Sequence, residues 1–258
     1  MSNPASGRST AATRDEFFDA LADARRRTAL RLVHRQSPDA VGKSELARHL
    51  AAVTMDNRSA EVTDDDYRQA LVDVHHRLMP SLTDAGLLEE TDDEMIVLGD
   101  HPAFDDPHLE EIVSVRHDGD DATLDAVFRA LAAERRRTVL SILAEEDRSL
   151  ETETLARRVA ARDAETIERE VAQDRVDEVL TSFVHIHGPT LADASLVEYD
   201  AETGQVADTA QPAVRAEWIR PADAVATDTD ESVTIERRAD GNTPATHRLI
   251  YRAQPRSP

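Results

Sequence analysis

Three separated stretches of this chain occur twice, in the same order, and that duplication constrains the fold more than any other feature. FFDALADARRRTALRLV, from Phe17 to Val33, returns as VFRALAAERRRTVLSIL, from Val127 to Leu143. ELARHLAA, from Glu45 to Ala52, returns as TLARRVAA, from Thr154 to Ala161, and HRLMPSLTDAGLLE, from His76, as HIHGPTLADASLVE, from His185. The offset of about 110 residues far exceeds the 20–50 residues of solenoid units, so it signals copying of a whole domain. The copies are expected at 14–100 and 122–208, each burying its aliphatic ridge in a core of its own. Around them lie an N-terminus at 1–13 read as disordered, a linker at 101–121 with a candidate strand at 111–115, and a tail from 209 with a candidate hairpin at 232–252.

Periodicity gives the elements of one copy. Phe18, Leu21, Ala22, Ala29, Leu30 and Val33 share a helical face, as do Phe128, Leu131, Ala132, Val139, Leu140 and Leu143. Arg25 and Arg26, or Arg135 and Arg136, fall where that stripe should continue. A short helix, a turn near Asp23 or Glu134 and a second helix are therefore predicted. A third helix follows over 44–53, with Ser44 as N-cap, and over 151–161 in the second copy. The longest helix carries Tyr67, Leu71, Val74, Leu78, Leu82 and Ala85, matched by Val176, Leu180, Phe183, His187, Leu191 and Ala194. Gly86 supplies a stop. Hairpins are expected from 87–89 with 95–98 and from 196–199 with 205–207. Pro80 and Pro189 interrupt the long helices, which predicts kinks that free the carbonyls of His76 and His185. The fold class is mostly α with short β-hairpins.

Charge bears on function. There are 52 acidic and 30 basic residues, a formal charge of −22, and Lys43 is the one lysine. Periodic apolar positions between the acids argue against disorder. Few lysines and many aspartates resemble the proteomes of archaea that hold molar salt, where the Debye length shrinks to about 3 Å and surface carboxylates repel one another little. The absence of cysteine excludes thiol catalysis and thiolate metal sites. No stretch approaches the ~18 apolar residues of a membrane span, so a cytoplasmic protein without a membrane partner is expected.

The ALADARRRTALRLV segment resembles the opening of small metalloregulator-type repressors, and LMPSLTDAGLLEE the end of their recognition helix entering the wing. More closely, His-x-His-x-Pro followed by Leu-x-Asp-Ala resembles a winged-helix-like domain common in haloarchaea and known mainly as a domain of unknown function. The resemblance covers both copies and implies two tandem winged helix-turn-helix-like domains. It further implies a transcription regulator binding double-stranded DNA as an intramolecular pseudo-dimer, or else an adaptor that binds a protein partner. The polar insert from Thr54 to Thr63 departs from the DNA-binding pattern.

Opposite the apolar stripe, the first long helix is expected to present Gln69, Val72, Asp73, His76, Pro80 and Thr83. The second presents Glu178, Thr181, Ser182, His185, Pro189 and Ala192. Arg68, Gln69, His76, Arg77, Arg175, Thr181, Ser182 and His185 are the candidate contacts to DNA or a partner. Asp73 and Glu178 are expected to oppose them. The runs Arg25-Arg26-Arg27 and Arg135-Arg136-Arg137 are read as structural, with Asp84 and Asp193 as carboxylate partners. His187 is read as a satisfied, half-buried histidine and Trp218 as a packing anchor. His185 and His187, two apart on a helix, do not share a face, so no metal site is expected. No phosphate loop or catalytic spacing occurs, and a non-enzyme without cofactor is expected.

Overall fold

The boundary between the first two helices is set by one side chain. Residues 14–21 form α1, and Ala24–Gln36 form α2. Between them Asp23 is extended, and its carboxylate accepts from the amides of Arg25 and Arg26 at 2.9 and 3.0 Å, satisfying donors that a helix start leaves orphaned. In the second copy, where α6 is Asp121–Leu131 and α7 is Glu134–Leu143, the same turn falls at Ala133 without a side-chain cap. Glu134 is thus the first residue of α7. A computed structural model describes residues 14–56, 62–105 and 121–209. The expectations for 1–13, the candidate strand at 111–115, Trp218 and the candidate hairpin at 232–252 lie outside the described residues.

A two-residue strand that periodicity does not reveal, β1 (Val41–Gly42), precedes α3 (Lys43–Asp56). Ser44 therefore sits inside α3 and is not its cap. The next helix, α4 (Asp64–Asp73), opens with a capping box. The Thr63 hydroxyl accepts from the Asp66 amide at 3.2 Å, and the Asp66 carboxylate accepts from the Thr63 amide at 3.0 Å.

At the position of the expected kink the helix takes a π-helical turn. α4 runs on through Val74–Leu78 into α5 (Met79–Asp84), and the Met79 amide donates to the Val74 carbonyl five residues back. In the second copy α8 (Thr152–Asp163) precedes α9 (Gln173–Ser182), which runs through Phe183–His187 into α10 (Gly188–Asp193). There the Gly188 amide donates to the Phe183 carbonyl. Proline offers no amide and crowds the preceding turn, and one extra residue per turn widens the helix to admit it. The copies fill this turn differently. Val74 and Met79 in one are matched by Phe183 and Gly188 in the other, and a Cβ on Gly188 would lie 3.2 Å from the Phe183 ring.

Each copy closes with a hairpin, β2 (Leu88–Glu90) with β3 (Met95–Leu98) and β5 (Val197–Asp200) with β6 (Gln205–Asp208). β1 and β4 (Leu150–Glu151) complete three-stranded antiparallel sheets ordered β1-β3-β2 and β4-β6-β5. Registers match: Val41 faces Ile96, and Leu150 faces Val206. The helix stop before each hairpin needs a positive φ. Gly86 provides it in one copy at 69° and Ser195 in the other at 57°.

The expectation of two separate cores is corrected. One contiguous apolar cluster contains Leu30, Leu46, Leu82 and Ile96 of the first copy together with Leu131, Leu140, Val159 and Leu191 of the second. It is joined where Phe18 and Phe128 stack at 6.4 Å. Flanking them, Arg27 donates to Asp125 and Arg137 to Asp15, each at 2.5 Å. Arg27 also donates to the Leu21 carbonyl at 2.8 Å, and Arg137 to the Leu131 carbonyl at 2.7 Å. Each guanidinium lies over the phenylalanine of the opposite copy, at 6.0 Å for Phe128 and 5.6 Å for Phe18. Equivalent residues thus meet reciprocally, the signature of an isologous two-fold contact. The expected linker is likewise not free at its ends: Asp121 begins α6, and His101 stacks on Phe17 at 5.0 Å beside the 3-10 turn Pro102–Asp105.

Candidate nucleic-acid interface

The arginine runs are engaged within the molecule, and the third arginine of each points inward. Arg27 and Arg137 are 1% and 3% exposed. Arg25 pairs with Asp73, Arg26 donates to Ser81 at 3.0 Å and to the Asp19 carbonyl at 2.6 Å, and Arg135 meets Asp163 at 2.9 Å. Arg136 caps the end of α6 through the carbonyls of Ala130 and Arg129 at 2.5 and 2.7 Å. Among the described residues these arginines meet those acceptors, whereas Asp84 and Asp193, the partners expected from sequence, are exposed at the ends of α5 and α10.

Asp73 is the main correction at the site. Expected on the outer face of α4, it is 5% exposed. It lies against Arg25 and within 3.7 Å of Arg77, so two guanidinium groups offset its burial. A periodicity argument classes every aspartate as outward and misses one drawn in by arginine from another helix. The consequence is large for so acidic a chain. From Tyr67 to Thr83 the one carboxylate is this buried one, and from Val179 to Ala192 there is none.

Along that stretch Arg68, Gln69, Val72, His75, His76, Arg77 and Pro80 are exposed. Arg68 meets Asp65 at 2.5 Å, but both side chains are largely in solvent, where such a pair is worth little. In the second copy Thr181, His185, Ile186 and Pro189 are exposed. Ser182 is half-buried and donates to the Val179 carbonyl at 2.9 Å. Arg175 is engaged by Glu178 at 2.6 Å and Asp163 at 3.5 Å. Of the predicted contacts, then, Arg68, Gln69, His76 and Arg77 of the first copy and Thr181 and His185 of the second are exposed, while Ser182 and Arg175 are occupied within the molecule. His75 and Ile186 are exposed beside them and were missed. The sequence held no signal for them, because the extra residue of each π turn changes the direction in which its neighbours face.

The hairpins beside these helices are acidic, with Glu89, Glu90, Asp92, Asp93 and Glu94 exposed in one and Glu198, Asp200 and Glu202 in the other. His187, on the inner side of the second π turn, is not the satisfied histidine expected. Its Nδ1 has no hydrogen-bond partner among the described residues. Burial, reinforced by Arg136 and Arg135, pushes its pKa down to about 4, so the ring is neutral. No group of three or more metal-ligating side chains occurs among the described residues, and none of their helices is long and apolar enough to cross a membrane.

Two segments, residues 18–98 and 128–207, match the family described as "Domain of unknown function (DUF7344)", and together they span more than half of the chain. The chain belongs to the DUF7344 family. Its two DUF7344 copies coincide with the two structural repeats, each running from the phenylalanine of the central stack to the second hairpin strand. No curated protein and no solved structure matches the chain.

Proposed function

We propose that this protein is a transcription regulator that engages double-stranded DNA through α4, as an intramolecular pseudo-dimer of winged helix-turn-helix units. The observation that carries the reading is the face from Tyr67 to Thr83, free of exposed carboxylate on a chain of charge −22. The element order supports the winged-helix assignment: two helices, a short strand, two more helices and a hairpin that pairs with that strand. Gln69, His76 and Arg77 offer hydrogen-bonding groups suited to base edges in a major groove. The acidic hairpins do not serve as phosphate-gripping wings in this reading, so affinity rests on the helix. The abundance of surface carboxylate is then an adaptation to concentrated salt, which weakens phosphate contacts but leaves base contacts in place.

The same acidic hairpins, together with Val72 and Ile186, each more than half exposed, favour a second reading as a protein-binding adaptor. Selection of duplexes from a random library, run from tenth-molar to molar KCl, separates the two. A regulator enriches a defined sequence, and His76→Ala or Gln69→Ala weakens binding to it by about 5- to 100-fold. Absence of enrichment at every salt concentration rejects DNA in favour of the adaptor.

A further inference from the structure

The reciprocal contacts Arg27–Asp125 and Arg137–Asp15 relate the two copies by a pseudo-two-fold operation. Under it every exposed position of α4 and its π turn has a mate in the second copy. The π turns, Pro80 with Pro189 and Asp73 with Ser182 fix the alignment. His76 is mated by His185 and Asp65 by Asp174, but four further mates are chemically unlike. Arg68 corresponds to Asp177, Gln69 to Glu178, Val72 to Thr181 and Arg77 to Ile186, and all eight residues are exposed.

A two-fold symmetric reader places identical donors on both sides of the axis, which is why such proteins select inverted repeats. Here the donors of one side face acceptors or hydrocarbon on the other. Asp177 and Glu178 repel the phosphates that Arg68 attracts, and Ile186 offers no hydrogen bond where Arg77 offers several. Because the scaffold is symmetric while the faces are not, we infer that the two copies have divided their work. The first alone reads bases, and the target is a single asymmetric half-site, not an inverted repeat. This inference rests on the DNA-binding reading proposed above.

The test is duplex selection with the full-length chain and two surface variants, each first shown to melt like the wild type. Wild type is expected to enrich one non-palindromic site about the length of a single half-site. The triple variant Arg68→Asp, Gln69→Glu, Arg77→Ile, which gives the first copy the residues of the second at three of the four unlike pairs, is expected to lose binding about 100-fold or more. The converse variant Asp177→Arg, Glu178→Gln, Ile186→Arg restores symmetry at the same three pairs and is expected to enrich an inverted repeat. An inverted repeat selected by wild type overturns the inference while leaving DNA binding intact. So does loss of the wild-type site on Ile186→Ala. Absence of any enriched sequence instead overturns the DNA-binding reading and this inference together.

Discussion

A buried guanidinium needs a counter-charge, and among the described residues the two central arginines are supplied unequally. Arg27 reaches Asp125 and also Asp121, at 3.0 Å, whereas the position equivalent to Asp121 in the first copy is Ala11. Removing one partner of a buried pair strands the other charge, at about 3–5 kcal/mol when nothing replaces it. Asp15→Ala should therefore approach that cost, while Asp125→Ala should cost less because Asp121 remains. Urea unfolding of the two variants measures the difference, and equal losses would remove the argument. His187 carries a different kind of liability. Its folded pKa of about 4 lies below the ordinary 6.5. Between those values the unfolded chain binds a proton that the folded chain refuses. Stability is thus complete above pH 6.5, falls as the pH drops toward 4, and levels below it. His101, also lowered by burial, contributes with the same sign. His187→Leu, which installs the residue of the first copy, should flatten that slope in unfolding measured across the acid range.

Among the elements, the π turns show how one backbone solution accepts two side-chain fillings. Large Phe183 sits against Gly188 in one copy, and smaller Val74 is followed by Met79 in the other. Gly188→Met should overpack its turn by about 1–3 kcal/mol. Adding Phe183→Val should recover part of that loss, because the Phe183 carbonyl at 3.1 Å and the Tyr199 ring at 3.2 Å still crowd the site. A double-mutant cycle on thermal unfolding reads that coupling directly. Simple additivity would mean the pair does not share space. The helices of this architecture were legible in the sequence because their apolar positions repeat at the helical period, and the repeats gave that period twice. β1 and β4 were not, since two residues carry no alternation to read. The π turns escaped as well: Pro80 and Pro189 announced a disturbance, but its form depends on where the displaced carbonyl goes. At the candidate interface Gln69 and His76 were legible as outward residues. The burial of Asp73 was not, because it depends on Arg25, 48 residues away in sequence.

At the scale of the whole molecule, one cluster joined through Phe18 and Phe128 implies that the copies unfold together. Calorimetry should give a single transition. Phe18→Ala should lower hydrogen-exchange protection in α7 of the second copy as well as in α2 of the first. Two resolved transitions would restore the picture of independent cores. The crossed guanidinium contacts have an evolutionary corollary. In an assembly of two identical chains, any substitution strikes both sides of the axis at once, so a change useful on one side and harmful on the other cannot persist. Joining the halves in one polypeptide lifts that restriction. Each flank can drift alone while the centre, where each half neutralises a cation belonging to the other, holds them in register.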